Sequence, residues 1–426
     1  MSETVTIPLT PREFLIRQRV FERYGPTGAS PFGNMLLAVV LRGELDVDAL
    51  RAAVMRVFAE NPALCSYFSP ADAAPAKLRA EPSSMDSPFV YLDRSGGGEP
   101  LKRAVRDAIG HQFDITRPPL LRVTVVRRSP TRHVFVLCAN HLLVDGWSMA
   151  LFLRTMSKYY GASGPAKPSE VADAELRAHL AERAAYLGSP ALQQERAELL
   201  SWLVPAADCL RRKVEVNFPM PNEVHGLVRF DVDVAERVRK RYGLSAVELH
   251  RVLYVLLIHW LTGHTEIALS ESSANRPPRS RALYGLLSDD LLVRASISAQ
   301  DTVEALVAAV ARGHATAERL SRVPALSVLT ELVGAPTLPR FHFNPFGVSV
   351  AALRLRGVQV SHFQTMRAYA LTEATLVSFD SRRVFVALAT PEIEGRGLAD
   401  IEHALRRMLA GLDDPHQRIA DILCGL

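Results

Sequence analysis

The run Asn140-His141-Leu142-Leu143-Val144-Asp145-Gly146 joins a ring that can take a proton to a carboxylate four residues on and a glycine directly after it. An unperturbed imidazole titrates near 6.5, so at neutral pH most of it is free to accept a proton. A positioned base of this kind contributes roughly 10²- to 10⁴-fold to a rate. His141 is therefore the candidate general base, and Asp145 is placed to anchor the turn beneath it. The unbroken apolar run from His133 to Cys138 reads as a buried strand, and Met149, Phe152, Leu153, Met156 and Tyr160 share one helix face. His141 thus falls where a strand ends and a helix is about to begin, an edge from which a side chain projects into a cleft while its backbone stays fixed.

Other chemistries find little support. There is no G-x-S-x-G elbow, P-loop or G-x-G-x-x-G, which argues against serine hydrolase, nucleotide-binding and dehydrogenase activity. Asp289-Asp290 has no second pair of ligands at a fitting spacing, so it reads as a solvated turn and no metal is expected. His250 and His259, on a long apolar helix, read as packed or capping residues. Cys65, Cys138, Cys209 and Cys424 lie far apart with no CxxC pair, as expected for reduced thiols in the cytoplasm. The N-terminus has no basic segment leading into an apolar one, and no stretch offers about 20 uninterrupted apolar residues, so neither export nor a membrane span is expected. A net charge of +5 from scattered arginines, with 7% aromatic residues, suits an acidic protein partner better than nucleic acid.

The elements that must position these residues alternate in type. With 426 residues the chain exceeds the roughly 250 to 300 at which single cores stop growing. Thr10-Pro11 opens a helix, Gly33 to Arg42 reads as a strand, and Val47, Leu50, Val54, Val57 and Phe58 form a helix face that Pro62 ends. Ala71 to Asp93 shows little periodicity. A helix from Leu101 to about Gln112 precedes two strands, Leu120 to Arg127 and Thr131 to Ala139, and the helix from Trp147 completes a first half. Gly161 to Ser169 is the candidate linker. Helices follow to Leu203, then a strand at Leu227 to Val232. Ser245 and Glu248 have the spacing of a capping box before an apolar helix through Leu261. A strand at Glu266 to Ser270, a helix from Thr302 to Leu320, strands around Phe341, Gly357, Ala374 and Val384, and a last helix through Leu412 complete the pattern. The expectation is an α/β (α+β) protein of two like-sized lobes, 1–168 and 169–426.

The residues also carry a resemblance that spans nearly the whole chain. Asn140 to Gly146 resembles the H-H-x-x-x-D-G signature of the condensation-domain superfamily of nonribosomal peptide synthetases, which has the chloramphenicol acetyltransferase fold. Further landmarks follow in the family's order. They are Pro8-Leu9-Thr10, Gly43 to Leu50, Ala63-Leu64 through Phe68, Phe113-Asp114 with Pro119-Leu120-Leu121-Arg122, and Ala274-Asn275-Arg276-Pro277 with Gly285-Leu286-Leu287 and Arg294.

The resemblance implies two acetyltransferase-like lobes in a V, with latch and floor-loop segments in the second and a tunnel between them at whose middle His141 lies, either as the base that deprotonates the attacking amine or hydroxyl or as the group that orients the nucleophile and steadies the tetrahedral intermediate. It implies transfer of an acyl group from a carrier protein's phosphopantetheine thioester to an amine or hydroxyl acceptor, small or carrier-bound, in natural-product biosynthesis. Phosphopantetheine, or CoA, is then part of the substrate, and no cofactor is bound. By the same analogy Asp145 partners an arginine, with Arg294 the candidate, and Gly146 turns the backbone tightly with its amide facing the oxyanion. Asn140 supports the site, and Trp147, Asn275 and Asn344 are possible tunnel residues, although Trp147 with Met149 also reads as core.

Departures mark a divergent member. Asn140 replaces the first histidine, Cys65 and Tyr67 replace expected arginines, and Leu287 and Asp289 replace the latch motif's phenylalanine and asparagine. Phe341 to Gly347 resembles an F-N-x-x-G run. The chain reads as one such module acting as a monomer, with both substrates arriving in trans. A CoA-dependent acyltransferase of the same fold is the alternative. A non-catalytic recruitment module is a further one, disfavoured because His141, Asp145 and Gly146 survive.

Overall fold

Strand-forming runs in the first third of the chain and a long apolar helix in the second half seed two separate cores. In the computed structural model the described residues are 5–7, 9–29, 33–162, 170–213, 224–334, 339–345, 352–362 and 372–426. They form two units: Met1–Ala185 with Arg276–Ser288 and Val348–Arg367, and Tyr186–Asn275 with Asp289–Gly347 and Ala368–Leu426.

The first unit contains β1 (Val5–Ile7), α1 (Pro11–Tyr24), β2 (Asn34–Arg42), α2 (Val47–Glu60), β3 (Ser66–Phe68), β4 (Lys77–Arg79), β5 (Phe89–Asp93), α3 (Gly98–Ile109), β6 (Leu121–Ser129), β7 (Arg132–Asn140), α4 (Gly146–Tyr159) and α5 (Glu170–Leu187). Its main sheet runs in the order of a late strand (Gln359–His362), β2, β7, β6 and β5, antiparallel except for the β5–β6 pair. The alternation of side chains sends Val39, Leu41, Val123, Val125, Phe135 and Leu137 to one face, where α2 and α4 cover them. Ala38, Val126, Val134 and Val136 meet Ala104, Val105 and Ala108 of α3 on the other face.

The second unit continues with α6 (Pro190–Leu203), α7 (Ala207–Leu210), β8 (Val224–Arg229), α8 (Val232–Tyr242), α9 (Ala246–Thr262), β9 (Glu266–Ser273), β10 (Asp289–Ser296), α10 (Val303–Arg319), α11 (Ala325–Val333) and β11 (Phe341–Asn344). After β12 (Gln359–His362), the strand given to the first sheet, come β13 (Ala374–Asp380), β14 (Arg383–Leu388), β15 (Glu392–Ile393), β16 (Arg396–Gly397), α12 (Leu398–Gly411) and α13 (Ile419–Leu423). The six-stranded sheet has the order β10-β9-β11-β13-β14-β8, with β11 parallel to both neighbours. The capping box at Ser245 and Glu248 forms, and α9 is apolar around most of its circumference because it is buried on most sides.

The expected cut between Pro168 and Ser169 differs from this division in two respects. Asp173 and His179 of α5 bond Arg79 and Ser280, which keeps that helix with the first unit. Residues 276–288 and 348–367 also return to it. Of the expected linker, residues 163–169 lie outside the described residues, as do Pro8, Phe346 and Gly347. Asp289-Asp290 is not a turn; it opens β10, and Asp290 is buried. Cys65, Cys138 and Cys209 are buried free thiols, and Cys424 is exposed and free.

Candidate active site

β7 ends because Asn140 folds its own side chain into the next turn. Its Oδ1 accepts from Leu142 N at 3.0 Å, and its carbonyl accepts from Leu143 N at 3.0 Å. His141 N donates to Gly33 O at 2.8 Å, which ties the turn to the approach of β2. Leu142, Leu143 and Val144 are buried pegs, so the backbone carrying His141 is fixed from below. The short polar side chain at the position of the family's first histidine thus does local structural work.

Asp145 is the N-cap of α4, its Oδ1 accepting from Ser148 N at 2.9 Å. The same carboxylate receives Arg276 Nη1 at 2.6 Å and Nη2 at 3.0 Å, and the amides of Leu287 and Ser288 at 3.0 and 2.9 Å. Burial alone would raise its pKa, but the Arg276 charge and these donors outweigh burial and hold it below the ordinary carboxylate value. Asp145 is therefore a permanently charged anchor. Ser148 Oγ completes the knot, accepting from Arg276 Nη2 at 3.0 Å and donating to Gly285 O at 3.0 Å.

Arg294, the expected partner, is elsewhere. It sits in β10 and bonds Glu266 Oε2 at 2.8 Å and the Trp202 carbonyl at 2.7 Å. Arg276 was within the N-R-P run that the sequence displays, but nothing in the spacing distinguishes which arginine folds back onto Asp145. Trp147 donates from its indole to the Arg281 carbonyl at 2.8 Å, with Arg154 over its ring. Asn275 adopts a left-handed backbone (φ 49°) directly before Arg276. Asn344 closes β11 opposite Val377 of β13. The site's geometry thus joins His141, Asn140, Asp145, Gly146, Trp147 and Arg276, whereas Asn275, Arg294 and Asn344 belong to the second unit.

The His141 ring has Nδ1 buried, with no hydrogen-bond partner among the described residues. Burial lowers its pKa below the ordinary imidazole value, and the nearby Arg12 charge lowers it further. The carbonyls of His141 and Val144 and the Asp145 charge pull the other way and do not prevail. The imidazole is neutral at neutral pH, the state a general base needs. Gly146 corrects the sequence reading, because its backbone needs no left-handed conformation and it begins α4 as an ordinary helical residue. A Cβ there would meet only Met35 Cε, at 3.8 Å, among the described residues. Glycine is required here neither by backbone angle nor by packing. Among the described residues no group of three or more His, Cys, Asp or Glu is arranged to hold a metal ion, and no single helix is long and apolar enough to cross a membrane.

A family model described as "Condensation domain" matches residues 20–336. Chondramide synthase cmdD of Chondromyces crocatus is 25% identical over 424 residues, covering 93% of this chain and 11% of that protein, so the chain spans about a tenth of this relative's length. Among solved structures, the condensation domain of the Monacolin K polyketide synthase MokA superposes with a TM-score of 0.79 at 17% identity, covering 98% of this chain and 100% of that one. A mutant starter condensation domain of rhizomide synthetase RzmA, in complex with C8-CoA, gives 0.78 at 17% identity, with 97% and 96% covered. A histidine just past the end of a central strand, a capped and arginine-clamped aspartate and a family-model match over most of the chain lead to one assignment: the chain belongs to the condensation-domain family of the nonribosomal peptide synthetases.

Proposed function

We propose that this protein is an acyltransferase that moves an acyl group from a carrier-protein phosphopantetheine thioester to an amine or hydroxyl acceptor, small or carrier-bound. His141 is the base. A neutral imidazole whose Nδ1 is buried leaves Nε2 to meet the acceptor. Nε2 takes the N–H or O–H proton as the acceptor's lone pair attacks the thioester carbon. The carbonyl electrons move onto oxygen, and collapse of the adduct expels the thiolate, which takes the proton back from His141. The amides of Gly146 and Trp147, which open α4, supply partial positive charge for the transient oxyanion. No covalent enzyme intermediate is needed, because the thiolate is already a good leaving group. With soluble carriers as partners, we place the reaction in the cytoplasm.

The observation that carries this reading is the His141 ring on a turn fixed by the Gly33 carbonyl and the Asn140 side chain, four residues before the Arg276-clamped Asp145. The test is intact-mass detection of an acyl group leaving a loaded carrier in the presence of the protein and an acceptor. Transfer undiminished in His141→Ala would overturn the reading. An acyl-CoA donor is the second reading, supported by the fold-related starter domain held in complex with C8-CoA. Matched acyl-CoA and acyl-carrier substrates separate the two.

A further inference from the structure

At the end of the first sheet away from His141, the strands finish in arginine. β2 ends at Arg42 and β7 begins at Arg132, and the two residues stand directly opposite each other in the antiparallel register. Arg94 follows the last residue of β5, its amide donating to the Arg127 carbonyl at 2.9 Å. In β6 the register shifts between Arg127 and Ser129, which leaves Arg128 as the extra residue of a bulge. Because β2, β7, β6 and β5 are consecutive in the sheet, Arg42, Arg132, Arg128 and Arg94 make a row with one arginine per strand. A strand spacing of about 4.8 Å makes that row about 14 Å long.

The alternation that sends Ala38, Val134 and Leu92 to the face under α3 puts Arg42, Arg132 and Arg94 on that face as well. Arg42, Arg128 and Arg132 are exposed, and among the described residues none of the three has an ion-pair partner. The acids that the chain places beside the row do not neutralise it. Asp93 is taken by Arg127 Nη1 at 2.9 Å and by the Ser95 amide at 2.9 Å, and the exposed Glu44, two residues past Arg42, pairs with none of the arginines. Like charges directly opposite across an antiparallel pair destabilise a sheet, so the Arg42–Arg132 pair is a cost that folding alone does not explain. The chemistry does not explain it either. Arg132 and Asn140 are the two ends of β7, about 27 Å apart at about 3.4 Å per residue.

We propose that this rim is a docking surface for an acidic helix of another polypeptide. The match is one of charge and of spacing. Carboxylates three or four residues apart on a helix lie about 5–6 Å from one another on one face, close to the strand spacing. A helix of about ten residues covers the whole row. An extended acidic segment would place its same-side carboxylates about 6.8 Å apart and fall out of step. The bound helix supplies the counter-charges that Arg42 and Arg132 lack and relieves their repulsion. None of this depends on His141 being the base.

The experiment titrates the whole protein into a fluorescent alanine-based helical peptide with glutamates at i, i+4 and i+7, followed by anisotropy. The comparison probes are the same peptide with glutamines, the glutamate peptide broken by a central proline, and a mixed-sequence DNA duplex. The acidic helix should bind, more weakly as salt is raised, and the glutamine peptide should not. Affinity should fall about tenfold in the Arg42→Gln/Arg132→Gln protein, which loses two ion pairs to the helix. Arg128→Gln, which touches no register pair, should weaken binding severalfold by itself. The double variant should melt no lower than wild type, because a repulsive pair has gone. Failure of the acidic helix to bind overturns the proposal, as does equal binding by wild type and the double variant. Equal binding of the proline-broken peptide would show that charge alone is read, and tighter binding of the duplex would make the rim a nucleic-acid surface; either result overturns it. A double variant that melts well below wild type would assign the arginines to the fold and overturn it too.

Discussion

Arg276 grips Asp145 with both terminal nitrogens, at 2.6 and 3.0 Å, and each side chain is only 1% exposed. Replacing the arginine leaves a carboxylate buried without its counter-charge. Arg276→Gln should therefore cost about 3–5 kcal/mol in urea unfolding. Adding Asp145→Asn should recover part of that loss, because the stranded charge is gone. Strictly additive single costs would show that the two side chains do not depend on each other.

Among the described residues the Nδ1 of His141 has no hydrogen-bond partner. His141→Gln should melt within a few degrees of wild type while transfer falls by roughly 10²- to 10⁴-fold. Burial first and Arg12 second lower its pKa, so the active neutral form persists below pH 6.5 and is lost only on further acidification. The pH profile should be flat through neutrality with a single acid limb below the ordinary imidazole value. A limb near or above 7 would contradict this environment.

His250 gives the second unit an acid sensitivity unrelated to the chemistry. It is fully buried in α9, bonded through Nδ1 to Ser378 Oγ at 2.8 Å, and burial lowers its pKa to about 4. The unfolded chain binds this proton near 6.5, so stability is full above that pH and declines as pH falls toward 4, by up to about 3 kcal/mol. His250→Leu should flatten that part of the stability curve. Equal slopes in the two proteins between pH 6.5 and 4 would rule the group out.

Two glycines should respond oppositely to alanine. At Gly313 in α10 a Cβ would lie 1.9 Å from the Arg294 carbonyl, so the helix must lift off β10, and a loss of about 3 kcal/mol or more is expected. At Gly146 the same methyl meets only Met35 Cε, at ordinary contact distance. Gly146→Ala should melt like wild type and change acyl or acceptor preference, read by competing substrates of different size. Unchanged preference would mean that the space beside α4 is not used.

What the sequence disclosed was mostly local. Thr10-Pro11 and Ser245 with Glu248 announce two helix starts; both helices form, and the structure adds Glu13 as the capping-box partner of Thr10. The strand-to-helix turn at His141 is equally legible, since it follows from one apolar run and one helical spacing. β5 was not, because a short parallel edge strand such as Phe89–Asp93 lacks a clean alternation, and Ala71 to Asp93 looked featureless. Arg294 was taken for the clamp because motif order cannot say which arginine folds back. Its place in the ladder beside β9 commits it to Glu266, and only the turn after Asn275 aims Arg276 at Asp145. Arg12 left no sequence signal, since its effect on the ring depends on where α1 docks.

The first unit takes its strand β12 and its arginine clamp from stretches synthesised long after its sheet has begun. A ribosome that has just added Asp145 must add 131 more residues before Arg276 exists, on the order of ten seconds at about 5–20 residues per second. Until then the carboxylate has to stay wet, and the nascent half is open to chaperones. A chimera with another chain of this fold faces the same fact: a junction anywhere from 186 to 367 would splice a stranger's segment into the first unit.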